Sequence, residues 1–150
     1  MQKNRVLYRF LKISLIDNFM QNYTCAFAST ILSGRCKCEF GVKNCIAEKE
    51  FAACLNIDSS KKCEKLYNFL HKNSEFAIGS IGQNTLTVSQ QNKIKIGGLK
   101  GLNELIFKNT DVKNVDSLRD ALLRKYQSFE NIPLKTIIPK IANFKIRQKK

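Results

Sequence analysis

Apolar residues recur every three to four positions through most of this chain, which is the spacing of helices that bury one face. Side chains that commonly cap helices precede several of these stretches: Asn22 or Thr24, the cluster Asp58-Ser59-Ser60, and Asn114 or Asp116. Gly34 is placed to end the helix that begins near Thr24. The pattern predicts helices over residues 3–20, about 24–34, 44–55, 58–75, 99–107 and about 116–126, with a last apolar stretch that Pro133 and Pro139 divide.

The pattern changes after Gly79. Residues 85–89 and then 93–96 alternate between apolar and polar side chains, which predicts two antiparallel strands joined across residues 90–92. The predicted fold class is α+β, a mostly helical single domain with a small antiparallel β-hairpin or sheet in its second half. We assign residues 1–144 to this domain, with a cysteine-rich helical part at 22–78 and a mixed α/β part at 79–144. Residues 145–150 form a basic tail.

Length and composition are those of one globular domain. The chain has 150 residues, of which 43% are hydrophobic and 25% are charged, and a chain of this size buries a core without the help of disulfides. Its apolar run Val6–Ile16 is interrupted by Arg9 and Lys12, which is untypical of a signal-peptide core or a membrane span. We therefore expect no membrane span and a cytoplasmic, reducing location.

The net charge of +14 is concentrated at the two ends. Residues 1–16 carry four basic side chains and residues 131–150 carry six, and neither segment has an acidic one. Basic ends of this kind bind nucleic acid or an acidic protein partner through phosphate or carboxylate contacts, although in many proteins they are only solvated. We expect a protein partner, and nucleic acid is a second possible ligand of the basic termini.

All six cysteines lie between positions 25 and 63. Free thiols are prone to oxidation, so this density has three explanations: a metal or iron–sulfur site, redox-active thiols or disulfides, and buried structural thiols. A tetrahedral zinc ion or a [4Fe–4S] cluster requires four soft ligands that converge. Here the only close pair is Cys36 and Cys38, so the remaining ligands would have to come from elements that the fold brings together.

The candidate metal ligands are Cys25, Cys36, Cys38, Cys54 and Cys63. Cys36 and Cys38 are the strongest of these candidates, because a charged loop that contains glycine is a poor place to bury two thiols. Cys54 and Cys63 flank a short connection between predicted helices and lie on apolar stripes, where a thiol is also a common core residue. Cys45 is the weakest candidate.

The leading hypothesis is therefore a small metal protein that binds an iron–sulfur cluster in an accessory, electron-transfer or sensory role. One alternative is a zinc-stabilised nucleic-acid- or ribosome-associated module, and a second is an interaction protein with unliganded structural cysteines. His71 fits a surface residue better than a ligand, and the glycines of Ile96–Gly101 fit close packing better than anion binding. No catalytic constellation is recognisable, and an enzymatic activity is not predicted.

Overall fold

The computed structural model describes residues 22–145, and these contain a three-stranded antiparallel sheet in the order β1–β3–β2. Strand β1 is Tyr23–Thr24, β2 is Gly41–Ile46 and β3 is Lys49–Cys54. A short helix, α1 (Ala28–Leu32), lies between the first two strands. The predicted helix over residues 3–20 and the basic tail from residue 146 onward lie outside the described residues.

The prediction of a helix over residues 44–55 is wrong, because this segment contains most of the β2–β3 hairpin. Ile46 is paired with Lys49, and the two turn residues, Ala47 and Glu48, have φ angles of 49° and 68°. A two-residue hairpin turn of this type needs positive φ at both positions, which Asn-Gly or Asp-Gly normally supplies. Ala47 and Glu48 carry no such signal, so the turn is not visible in the sequence.

The longest helix, α2, spans Ile57–Ile78 and confirms the helix predicted from the Asp58-Ser59-Ser60 cluster. Its cap is Asn56, whose side chain accepts a hydrogen bond of 3.1 Å from the backbone N–H of Ser59. Gly79 ends the helix at φ 69°, a left-handed conformation that glycine adopts without strain. The helix begins directly after β3, so the sheet and the first turns of α2 are held together.

The predicted hairpin in the second half is also wrong. Residues 88–107 form a continuous helical run made of α3 (Val88–Asn92), a π-helical segment (Lys93–Gly97) and α4 (Gly98–Phe107). Thr87 starts the run in a capping box with Gln90.

Ile94 and Ile96 are both buried, and the π-helical segment packs against both α2 and the C-terminal helix α6 (Leu134–Asn143). In a helix, side chains that are two positions apart, such as those of Ile94 and Ile96, lie on roughly opposite sides. A helix that is buried on both sides therefore produces the same alternation as a strand.

Two more helices complete the fold. Helix α5 (Val115–Tyr126) starts at the predicted cap Asn114, and α6 (Leu134–Asn143) follows a 3-10 turn at Phe129–Asn131. The core is made of fully buried aliphatic side chains from α2, the π-helical segment, α4, α5 and α6: Leu66, Leu70, Ile94, Leu99, Leu102, Leu118, Leu122, Ile137 and Ile141. The α+β class is confirmed, but the sheet lies in the first half of the chain.

Candidate functional site

Three cysteines meet at one end of the sheet. Cys54 ends β3, and it is paired with Tyr23 on one side and with Gly41 on the other. Cys25 follows β1 directly. Cys38 precedes β2 and accepts a hydrogen bond of 3.2 Å from the Gly41 backbone N–H through its carbonyl oxygen. The register of the sheet thus brings together cysteines that are up to 29 positions apart in the sequence.

The first turns of α2 bring a fourth cysteine, Cys63, to the same end of the sheet. The Ser60 hydroxyl donates a hydrogen bond of 2.6 Å to the backbone carbonyl of Thr24, which ties α2 to the residue before Cys25. Cys54 donates through Sγ to the carbonyl oxygen of Asn56 at 3.2 Å, immediately before the helix begins. We call Cys25, Cys38, Cys54 and Cys63 the four-thiol group.

The members of the four-thiol group act on one another electrostatically. Burial raises the pKa of Cys25, and the charges of Cys38 and Cys54 raise it further. Burial also raises the pKa of Cys63 to about 11, where hydrogen bonding by Arg119 opposes the shift and the charges of Cys38 and Cys25 add to it. Cys54 has a raised pKa for the same reasons, burial first and then Cys38. Cys25, Cys54 and Cys63 are therefore protonated at neutral pH when no metal is bound.

Arg119 supports the four-thiol group from α5. Its guanidinium is 2% exposed and donates through Nη1 to the Ser59 carbonyl at 3.3 Å and to Cys63 Sγ at 3.4 Å. Through Nη2 it donates to Asp116 at 2.6 Å and to Asp120 at 2.9 Å. Burial opposes the charge of Arg119, but the hydrogen bonds to Cys63 and Asp120 raise its pKa. A permanent cation therefore lies against one thiol of the group.

A second cation lies near Cys25. The ammonium of Lys95, in the π-helical segment, is 5.4 Å from the centre of the Tyr67 ring. Burial lowers the pKa of Lys95, and the charge of Cys25 opposes this shift. Lys95 and Arg119 are thus both placed to offset negative charge on the thiols if these ionise.

Cys36, one of the two leading candidates in the sequence, lies in a different environment. Its backbone forms an isolated parallel β-bridge with Val112, and the residue is 1% exposed. Burial raises its pKa to about 11, whereas hydrogen bonding to the Thr30 side chain lowers it, and the nearby charges are those of Lys100 and Asp111. The structure brings four of the five candidate cysteines together and places Cys36 in the core between α1 and the loop before α5.

Two other candidates are surface residues. Cys45 is exposed in β2 near the hairpin turn. His71 is about one third exposed, stacks on Tyr67 with 6.0 Å between ring centres, and lies 4.0 Å from Glu75. These contacts account for His71 as a residue of the α2 surface.

The glycine-rich segment serves helix packing. A Cβ atom added at Gly97 would lie 3.0 Å from Phe144 Cβ and 3.1 Å from Ile141 Cα, and one at Gly98 would lie 3.0 Å from a Leu70 methyl group. Glycine therefore allows this segment to approach α2 and α6 closely. No pattern in the sequence indicated that Arg119 and Lys95 support the thiols, because these residues reach the thiols only through tertiary contacts.

The four-thiol group is not arranged as the ligands of a bound metal ion are. Within residues 22–145, no set of three or more Cys, His, Asp or Glu side chains is arranged so that it could hold a single metal ion.

Among the helices of the same residues, none is both long and apolar enough to cross a membrane. Comparison with known protein families, with curated proteins and with solved structures finds no match for this chain.

Proposed function

We propose that this protein is a small metal protein in which Cys25, Cys38, Cys54 and Cys63 hold an iron–sulfur cluster. The observation that carries the proposal is that these four cysteines lie at one end of the sheet, close enough for their charges to influence one another. Four thiols in one place supply the number and kind of ligands that such clusters use. Cys36 has no part in the proposed site.

A zinc ion would require the four thiols to lie closer together than a four-iron cluster would. Thiolates around zinc, with Zn–S bonds of about 2.3 Å, must lie about 3.8 Å from one another. The described residues contain no group that is closed around a single ion in this way, although the charges of the four thiols are close enough to interact. A four-iron cluster is wider than a single ion, and its thiolates are correspondingly farther apart.

The local charges fit the same proposal. Four thiolates carry more negative charge than the cationic core of a [4Fe–4S] cluster neutralises, and buried negative charge needs a compensating cation. Arg119 donates a hydrogen bond to Cys63, and Lys95 lies near Cys25. Hydrogen bonds and charges of this kind set the reduction potential of a bound cluster. For such a site we propose an accessory, electron-transfer or sensory role with a protein partner, in the cytoplasm.

The test is purification without oxygen, followed by iron, sulfide and zinc analysis of the full chain. We expect a brown protein that contains iron and sulfide in comparable amounts. Replacement of Cys38 by Ser should remove the cluster, whereas Cys36→Ser and Cys45→Ser should retain it, and these two variants control for the loss of a thiol elsewhere. Bound zinc without iron would favour the zinc-stabilised alternative. A preparation with neither metal would contradict the proposal.

A second candidate is an interaction protein with structural thiols. It is favoured by the absence, within residues 22–145, of a group of Cys, His, Asp or Glu side chains that could hold a metal ion. It is also favoured by the raised pKa values of Cys25, Cys54 and Cys63, which keep these three thiols protonated and unreactive at neutral pH. In that case Cys38→Ser should bind as little metal as the wild type and unfold at the same urea concentration.

A further inference from the structure

The exposed side of α2 carries a group of lysines on one face. A helix turns about 100° per residue, so Lys61, Lys62, Lys65 and Lys72 all fall within an arc of about 100°. All four are exposed. They extend along about 16 Å of the helix axis, at 1.5 Å per residue. The acidic residues Glu64 and Glu75 lie outside this arc on one side. We call the four lysines the α2 basic face.

The charges of the α2 basic face are not neutralised by neighbouring acids. Within residues 22–145, the ion pairs involve His71, Arg119 and Lys140, and none of the four lysines has a carboxylate within ion-pair distance. Asp58 lies within the same arc in the first turn, next to Lys61 and Lys62, and it also interacts favourably with the helix N-terminus. This face therefore presents a net positive charge to solvent.

A groove beside these lysines adds an aromatic ring and amide groups. It has a volume of about 490 Å³ and is lined from α2 by Lys65, Asn68, Phe69, Lys72 and Asn73, and from the opposite side by Glu130 and Leu134. The half-buried Phe69 ring packs against Phe129, with 6.4 Å between ring centres and a tilt of 32°. Amide groups can hydrogen-bond to base edges, and an aromatic ring offers a surface on which a base can stack.

We infer that the α2 basic face and its groove bind single-stranded nucleic acid. The lysines contact successive phosphates, and a base enters the groove beside Phe69 and the two asparagines. An acidic peptide would use the lysines alone and would gain nothing from the aromatic ring. A duplex keeps its bases stacked and would not fill the groove. This surface is separate from the four-thiol group, so the inference does not depend on the metal proposal.

The test measures binding of the full chain to a fluorescently labelled single-stranded oligouridine by anisotropy at several salt concentrations. Lys65→Gln with Lys72→Gln removes two phosphate contacts. The slope of log affinity against log salt should then become shallower by about 1.4, at about 0.7 per contact with a single strand. Lys43→Gln with Lys49→Gln, two exposed lysines of the hairpin, changes the net charge equally and should leave the slope unchanged.

Two further variants separate stacking from charge. Phe69→Leu keeps an apolar side chain against Phe129 but removes the ring face, so affinity should fall at least fivefold at an unchanged salt slope. Glu130→Gln removes the carboxylate that lines the groove and should tighten binding. Absence of wild-type binding at low salt, or equal losses in the two lysine double variants, would overturn the inference. Equal affinity for duplex and single strand, with no effect of Phe69→Leu, would also overturn it.

Discussion

Gly97 provides a direct test of how the helices pack. It is buried in the π-helical segment, and an added Cβ atom would lie 3.0 Å from Phe144 Cβ, 3.1 Å from Ile141 Cα and 3.2 Å from the Lys140 carbonyl oxygen. Two of these three neighbours are backbone atoms of α6. Gly97→Ala therefore requires the α6 backbone to move by a few tenths of an ångström, since no side-chain rotation relieves the contact.

The magnitude follows from two opposing effects. Overpacking a tight contact costs about 1–3 kcal/mol, whereas replacing glycine by alanine within a helix stabilises the protein by about 1 kcal/mol. Gly97→Ala should therefore lower the free energy of unfolding by up to about 2 kcal/mol. Ile141 is the one core residue among these three neighbours, and the protein should still fold.

Gly101 supplies the matched control one turn further along. Its added Cβ atom would meet Lys140 Cδ at 3.3 Å, Lys140 Cβ at 3.5 Å and Ile137 Cδ1 at 3.6 Å. The closest of these belongs to a flexible side chain that pairs with Glu104 and can move at little cost. Gly101→Ala should therefore be neutral or stabilising by up to about 1 kcal/mol, because only the helix-propensity gain remains.

Urea unfolding followed by circular dichroism would compare the two variants with the wild type. Equal m values would show that the unfolding reaction is unchanged, and the difference in midpoint would then report the difference in stability. If Gly97→Ala were as stable as Gly101→Ala, the close approach of the π-helical segment to α6 would be refuted.

Three other predictions concern charge and capping. Above pH 9.0 the unfolded Cys36 thiol ionises while the folded one, with a pKa of about 11, stays protonated. The unfolded state then binds fewer protons, so stability should fall from pH 9 to 11, by up to about 3 kcal/mol for this group. Cys36→Ala should flatten this fall when stability is measured by urea titration. Arg119→Met leaves the Asp116 carboxylate with the Ser59 hydroxyl but without a cationic partner and should cost about 3 kcal/mol, against less than about 0.5 kcal/mol for the exposed Arg124→Met. Asn56→Ala should cost about 1 kcal/mol in thermal unfolding, and no loss would contradict its role as the α2 cap.

Helices with an amphipathic stripe and a capping residue were predictable from the sequence. Helix α5 begins after Asn114, as predicted, and α2 extends only a few residues beyond the predicted bounds. Both helices bury one face and expose the other, so their hydrophobic period reports the structure directly.

The two wrong assignments have physical causes that local patterns do not carry. The hairpin turn at Ala47 and Glu48 is imposed by strand pairing on residues without a turn preference of their own. The π-helical segment is buried on both sides, so its alternation reflects two packing partners. In each case tertiary contacts override the local preference. The capping box of Thr87 and Gln90 was the one local signal that pointed to a helix there.

The candidate site shows the same division between local and tertiary information. Cys36 and Cys38 are two residues apart, but the residue between them is paired with a distant segment: the Lys37 N–H donates to the Val112 carbonyl at 3.0 Å, and the Val115 N–H donates to the Lys37 carbonyl at 2.9 Å. This pairing holds Cys36 in the core and leaves Cys38 beside the sheet. Sequence spacing alone treats the two thiols as one ligand pair, whereas the register of three strands, together with α2, selects the group that includes Cys38 and excludes Cys36. For cysteines spaced this irregularly, strand register and helix docking therefore decide which thiols lie together.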